Sequence, residues 1–318
     1  MTNLQPPNSK MSYRKIIKEA WQLVSHEKGL IWFGVIPSFF STLVGICYLI
    51  YQFLAFQVSP FFGNKQYDFE QIIDFLFQLI ANYPGFFVFF LILAALIGLG
   101  FFFLPPLCEG SIIGLTAAHH QQKAVSARDG LSIGLNYFLQ LFEYRVVAST
   151  FGLAEFFLIF SIGARNFGFT HWLITIMCLL FLVAILFSFL FIYTQNFIVL
   201  KNKPLIPAFL ESAKLVIHNF EQTFLIWLLI FLISLRVIIN IFLVFLIPIF
   251  IAFVMNFLIG KLALGLGVVL AILAGLIVLS AAAYLAGILH VFTTATWTLT
   301  FLSIKHQKPQ KILEQLKI

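Results

Sequence analysis

Charged residues are scarce in this sequence of 318 residues: Asp, Glu, Lys and Arg together make up 10% of it, against about 25% in ordinary soluble domains. Hydrophobic residues make up 61%, and the mean hydropathy is +1.03. A soluble globule needs charged and polar side chains to coat its surface. The composition therefore excludes a water-soluble fold, a disordered tail protein and a coiled coil. It predicts an all-α integral membrane protein.

Cysteine and acidic residues are also few. Cys47, Cys108 and Cys178 lie in or beside apolar segments without paired spacing, which excludes a disulfide framework and a zinc site. The formal net charge is +7. No basic run is interleaved with aromatic residues that would stack on bases. The excess of positive charge therefore indicates cytoplasmic loops rather than a nucleic-acid partner. No cofactor is implied.

The N-terminal segment lacks the features of a cleavable signal. Residues Met1–Leu30 are polar and charged, and the first apolar run begins only at Ile31. That run is long, and no small-residue cleavage site follows it. We expect it to be retained as the first membrane helix.

Six apolar runs have the length of about 20 residues that a membrane-spanning helix needs. The third run is the shortest and contains Glu155, and the sixth is too long for one perpendicular span, so it must tilt or project from the bilayer. The six predicted spans are Ile31–Phe56, Gly85–Leu104, Val146–Ile162, Trp172–Leu200, Phe224–Ile247 and Leu264–Ile304.

Lysine and arginine predict the orientation of these spans. Fifteen of the 19 lie on one side of the predicted membrane, three lie on the other, and Arg236 lies inside a span. The positive-inside rule then places both termini in the cytoplasm. The sequence predicts one membrane domain, with an N-terminal cytoplasmic segment (1–30), a six-span bundle (31–304) and a cytoplasmic tail (305–318).

An eight-span alternative would split the last two runs, but neither Asn240–Leu243 nor Tyr284–Gly287 contains a convincing polar turn. Pro248 is predicted to end the fifth span instead. The stretch Ile249–Ile259 would then lie at the outer interface or re-enter the membrane. Between the first two spans, Phe69–Ala81 has the pattern of an interfacial amphipathic helix.

The predicted cytoplasmic segments resemble one another. Glu19–His26 reads EAWQLVSH and Glu211–His218 reads ESAKLVIH, and Ser126–Phe142 has a similar polar start and amphipathic run. Each of these segments leads into an odd-numbered span. The pattern predicts three hairpin-like repeats, each preceded by a cytoplasmic interfacial amphipathic helix.

Glu155 and Arg236 are the only charged residues well inside the predicted spans, at similar depth. An isolated charge at mid-bilayer costs at least ~2.5–3.5 kcal/mol, so we expect the two to pair. The pair is interpreted either as a structural ion pair or as a functional polar site. His290, with its neighbouring threonines, either packs in the core through hydrogen bonds or joins that polar site.

Small residues form a stripe at four-residue steps on the sixth span, and such stripes let helices approach closely. Packing within the chain is favoured over a homo-oligomer or partner interface. The stripe consists of Gly267, Ala271, Gly275, Ala283 and Gly287.

Two further patterns resemble a metal site and a catalytic motif, but neither has the spacing or the partner residues that the chemistry needs. Glu109, His119 and His120 are metal-ligating types, but their spacing matches no standard site, and a solvated loop is expected. Gly130–Gly134 reads GLSIG, which matches the nucleophile-elbow pattern formally but lies in a predicted interfacial helix without partners for Ser132. No catalytic or metal site is predicted, so the protein is not expected to be an enzyme.

The stretch from Asn196 to Phe220, NFIVLKNKPLIPAFLESAKLVIHNF, together with LPPLCEGSIIGL and VSARDGLSIGLNYF, resembles bacterial proteins grouped around the membrane domain of glycerophosphoryl diester phosphodiesterases and the YciC-like families of unknown function. The resemblance implies a six-span helical membrane domain without esterase activity, since the separate catalytic domain of those enzymes has no counterpart here. We expect a non-enzymatic role in lipid binding, envelope homeostasis or scaffolding of a membrane complex. A transporter or permease subunit with a cavity lined by Glu155, Arg236 and His290 is the alternative.

Overall fold

The computed structural model describes the chain at positions 13–57, 77–78, 80–123, 125–150, 152–259 and 264–305. It describes the backbone alone at 50, 53–57, 86, 153–155, 240–259, 264–272, 274 and 305. These residues form helices and no strand. The helices are α1 Tyr13–His26, α2 Lys28–Gln57, α3 Pro84–His120, α4 Ala127–Asn136, α5 Phe138–Thr150, α6 Leu153–Phe167, α7 His171–Leu190, α8 Thr194–Lys201, α9 Leu205–His218, α10 Phe220–Ile259 and α11 Leu264–Lys305.

Five helical stretches in the described part of the chain are long and apolar enough to cross a membrane. This confirms an all-helical protein of membrane type. The six-span count is not confirmed, because the third predicted span, Val146–Ile162, is divided between α5 and α6. The five stretches are Lys28–Leu49, Phe87–His120, His171–Lys201, Phe220–Ile239 and Gly275–Ile304.

The break between α5 and α6 has a local cause. The hydroxyls of Ser149 and Thr150 both donate to the carbonyl of Val146, and Gly152 adopts an extended conformation as the N-cap of α6. Serine and threonine hydroxyls that bond back to the preceding turn compete with the helix, and glycine weakens it further. Glu155 falls in the first turn of α6, where the helix dipole favours an acidic residue.

Helices α3 and α10 run further than predicted. Pro105 and Pro106 lie inside α3, which continues to His120, so the solvated loop expected around Glu109 is wrong. Pro248 likewise lies inside α10, which continues to Ile259, so the predicted end of the fifth span is wrong. A membrane helix tolerates proline where neighbouring elements support it, and the residues after Pro106 pack against α4 and α5.

The two breaks required by the eight-span alternative are absent, since the described backbone of α10 and α11 is helical through 240–243 and 284–287. The segment Phe69–Ala81 lies largely outside the described residues. The orientation and the repeats stay predictions.

Helices α2, α3 and α11 pack together at the centre, and α10 lies against α11. The densely buried core is at one end of these helices, where α1, α4, α8 and α9 join them. We call this region the packed end. The helices α1, α4, α5, α8 and α9, which carry seven of the 19 lysine and arginine residues, all contribute to it or pack on it. A small second cluster joins α6 to α7.

Close helix contacts in the packed end depend on glycine. Gly110 and Gly114 lie on the face of α3 that contacts α4, and Gly130 and Gly134 lie on the face of α4 that contacts α3. A Cβ atom on Gly110 would lie 3.0 Å from the Cα of Gly134. Both pairs have the spacing of the small-residue motif that brings membrane helices together. The GLSIG sequence is therefore a helix-packing surface, and Ser132 on its other face is exposed.

Candidate functional site

A cavity of about 810 Å³ opens at the packed end, between the α1–α2 junction, the end of α3 and the start of α4. We call it the interfacial cavity. This volume lies in the range typical of small-molecule sites, about 300–1,000 Å³. Its apolar wall consists of Leu23, Leu30, Leu115 and Val125. Its polar residues are Glu27, His119, Gln122, Lys123, Ser126 and Asp129.

Three tight connections shape this cavity. Glu27 is the single residue between α1 and α2. Gln122 has a positive φ of 59°, which turns the chain back after α3. The backbone N–H of Ser126 donates to the carboxylate of Asp129 at 2.8 Å, which fixes the start of α4. Gly29 lies close to α4, because a Cβ there would be 3.2 Å from the Cβ of Ala127.

A polar contact beside the cavity fastens α1 to the end of α3. Nδ1 of His120 lies 2.6 Å from Oε1 of Glu19. The hydrogen bond with His120 holds the pKa of Glu19 below its ordinary value of 4.5, and the positive charges of His120 and Lys15 act in the same direction. The metal-ligating types in this region are thus separated: His120 faces Glu19, whereas Glu109 faces Gln195. Within the described residues no group of three or more His, Cys, Asp or Glu could hold a metal ion.

Glu109 is the centre of a second polar group, which joins α3, α5 and α8. Its side chain is largely buried, and its Oε2 accepts a hydrogen bond from Nε2 of Gln195 at 2.5 Å. Its Oε1 lies 3.7 Å from Nη1 of Arg145, whose guanidinium lies 5.9 Å from the centre of the Phe101 ring. The charges of Glu109 and Arg145 both act on His290 of α11. We call Glu109, Arg145, Gln195 and His290 the Glu109 group.

The three predicted intramembrane residues do not share one described site. His290 belongs with the Glu109 group, whereas the Arg236 side chain is exposed on α10. No carboxylate among the side chains described here forms an ion pair with Arg236. Glu155 lies on α6, and its side chain is outside the described part. Pairing of Glu155 with Arg236 therefore stays a prediction.

The small-residue stripe divides along α11. A Cβ on Gly287 would lie 2.6 Å from the Cα of Val35, and Ala283 is buried, so this half packs against the rest of the chain. Gly275 has open space where a side chain would be. Only the backbone is described at Gly267 and Ala271.

The sequence pattern was interpreted as placing Glu109 in a solvated loop, and the interfacial cavity was not predicted. The run after Pro106, LCEGSIIGLTAA, is apolar except for Glu109 and a few small polar residues, which is the pattern of a continuing helix rather than of a loop. The cavity depends on how three distant segments meet, and no local pattern contains that information. Comparison of the chain with protein-family models, with curated proteins and with solved structures gives no match.

Proposed function

We propose that this chain is a non-enzymatic, multi-pass membrane protein that holds a phospholipid in the interfacial cavity. The protein would lie in the bacterial inner membrane, with the packed end on the cytoplasmic side. Lipid binding would serve envelope homeostasis or the scaffolding of a membrane complex. Membership of the families that the sequence resembles is part of this proposal. The observation that carries it is a ligand-sized cavity lined by both apolar and charged residues, which suit the two parts of an amphiphile.

The level of the cavity along α2 supports this proposal. Trp32 and Tyr51 are exposed aromatic residues, 19 positions apart, near the two ends of the apolar part of α2. At 1.5 Å per residue they are separated by about 28 Å, close to the ~30 Å of a bilayer's hydrocarbon core. Aromatic residues concentrate at the two interfaces. Gly29 and Leu30, which line the cavity, then lie just beyond Trp32, at headgroup level.

The packing of the central helices supports binding over transport. A side chain on Gly34 of α2 would collide with the backbone of Gly287 on α11. Two helices in such close contact leave no room between them for a polar pathway. The basic residues on the helices of the packed end would also attract an anionic leaflet, at about 1 kcal/mol per residue near the surface.

A transporter or permease subunit is the second candidate, and it has one observation in its favour. The helical path is broken at Gly152, and again between Leu190 and Thr194. Broken helices with a charged residue at the break, here Glu155, form substrate sites in many transporters. Substrate uptake by proteoliposomes that depends on Glu155 and Arg236 would favour this candidate over lipid binding.

The experiment is native mass spectrometry of the full chain purified in mild detergent. The wild type is expected to retain phospholipid. Val125→Trp, which fills the cavity from its rim, is expected to lose most of it. Leu135→Trp is the matched control, because Leu135 is exposed on α4 and does not line the cavity. Retention of equal lipid by Val125→Trp, or none by the wild type, would contradict the proposal.

A further inference from the structure

Two side chains of opposite charge line the interfacial cavity. Glu27 and Lys123 both line it, and both are exposed. Neither forms an ion pair with any side chain in the part of the chain that the structure describes. Of the other carboxylates in and beside the cavity, that of Glu19 contacts His120 and that of Asp129 accepts a hydrogen bond from the backbone N–H of Ser126. A ligand in the cavity therefore meets one carboxylate and one ammonium, both available.

From this arrangement we propose that the interfacial cavity selects a zwitterionic phosphoethanolamine headgroup. Lys123, with His119 beside it in the lining, takes the phosphate, and Glu27 takes the ammonium. The inference rests on the proposed function, because it names the headgroup of the lipid that the cavity would hold.

The lining distinguishes this headgroup from its common alternatives. A carboxylate accepts hydrogen bonds from a primary ammonium, which has three N–H donors. The quaternary ammonium of a choline headgroup has none, and proteins recognise it with aromatic rings. The described residues that line the cavity include no Phe, Tyr or Trp. A headgroup with a phosphate but no amine would leave the Glu27 carboxylate unpaired beside a like charge, which is unfavourable.

The apolar wall favours a lipid over a free headgroup. Leu115 and Val125 are half-buried and line the same cavity, and contact with an acyl chain would remove their remaining apolar surface from water. Free phosphoethanolamine carries the same charges without this contribution. Both sources satisfy the charge complementarity, so the experiment includes each of them.

The test uses the full chain in mixed micelles that contain equal amounts of phosphatidylethanolamine, phosphatidylcholine and phosphatidylglycerol with identical acyl chains. Native mass spectrometry counts the lipids bound to each protein molecule. We expect the wild type to be enriched about tenfold in phosphatidylethanolamine over the other two, a difference of about 1.4 kcal/mol in binding free energy. Addition of millimolar free phosphoethanolamine shows whether the headgroup alone competes.

Glu27→Gln is expected to remove the headgroup preference while total bound lipid stays within twofold, whereas Lys123→Gln lowers retention of all three lipids. Glu143→Gln and Lys214→Gln are matched controls, since both residues are exposed and lie outside the cavity lining. Gel filtration and circular dichroism verify that each variant is folded.

The outcomes separate the inference from the proposed function. Loss of the preference in Glu27→Gln but not in Glu143→Gln supports the inference, and competition by free phosphoethanolamine supports the same chemistry with a soluble ligand. Lipid retained without headgroup preference, or with a preference that Glu27→Gln leaves unchanged, overturns the inference and leaves the proposed function standing. A wild type that retains no phospholipid overturns both.

Discussion

The hydroxyl of Ser212 bonds the backbone at the break before Tyr193. Its Oγ accepts from the N–H of Tyr193 at 3.1 Å and donates to the carbonyl of Leu190 at 2.8 Å. Both backbone groups lie where α7 ends and α8 begins, and Ser212 on α9 is fully buried. One side chain thus bonds two backbone groups that the interrupted helix leaves without their regular partners, which is why the break is tolerated inside the protein.

Ser212→Ala should therefore destabilise the protein. The change leaves a buried N–H and a buried carbonyl without this partner, at a cost of about 1–3 kcal/mol. Thermal unfolding in detergent measures the effect. Ser132→Ala is the control, because Ser132 is exposed on α4, and its unfolding temperature should equal that of the wild type. An unchanged unfolding temperature in Ser212→Ala would show that the break does not depend on this hydroxyl.

Ser212 also shows how far the sequence could predict the structure. Ser212 aligns with Ala20 in the two similar segments, and both residues are fully buried. Residues at these equivalent positions of α1 and α9 are thus buried alike. The apolar pattern did not predict the break at Phe191–Tyr193, because that run is as apolar as an uninterrupted span, and the break depends on a contact with α9.

The long apolar helices were predictable because their length and composition are local properties. The interfacial cavity and the Glu109 group were not, because each joins segments that are distant in sequence. His290 was predicted to pack in the core or to join an intramembrane polar site. Its charged neighbours Glu109 and Arg145 were assigned to loops. The apolar residues around Glu109 were the signal for a helix there, and Pro105–Pro106 outweighed it.

A substitution at Gly287 should separate α2 from α11. A Cβ there meets the backbone of Val35 at 2.6 Å, and backbone cannot give way as a flexible side chain can. We expect Gly287→Ala to cost about 1–3 kcal/mol, as overpacking does. Gly275→Ala is the matched control on the same helix, because open space surrounds it. Equal unfolding temperatures for the two variants would contradict this packing.

The Glu109 group should contribute more to stability than Arg236. Glu109→Ala removes the acceptor of Gln195 and the counter-charge of Arg145, and the loss of a hydrogen bond to a charged group costs about 1.5–3 kcal/mol. Arg236→Ala removes a charge that is exposed on α10 within a predicted span, and because such a charge is itself costly in a membrane, we expect no loss of stability. Thermal unfolding of both variants makes the comparison. A larger loss in Arg236→Ala would restore the predicted partnership with Glu155, and the double exchange Glu155→Arg with Arg236→Glu would then test it.

The contact of Glu19 with His120 should make stability depend on pH. Because His120 lowers the pKa of Glu19 below 4.5 in the folded protein, the contact stabilises the fold above that pH. Its contribution is lost as the pH falls through the lowered folded value. The unfolding temperature of the wild type should exceed that of Glu19→Gln at pH 5.5, and the difference should shrink toward pH 3. A difference that grows on acidification would contradict the assignment.

The central claim is that a phospholipid headgroup lies between Glu27 and Lys123. The most direct test is the structure of the full chain, determined by electron cryomicroscopy in nanodiscs that contain phosphatidylethanolamine. The account predicts headgroup density in the interfacial cavity, with the phosphate within hydrogen-bond distance of Nζ of Lys123 and the amine near the Glu27 carboxylate. A cavity that contains only water, or that is filled by another segment of this chain, would contradict it.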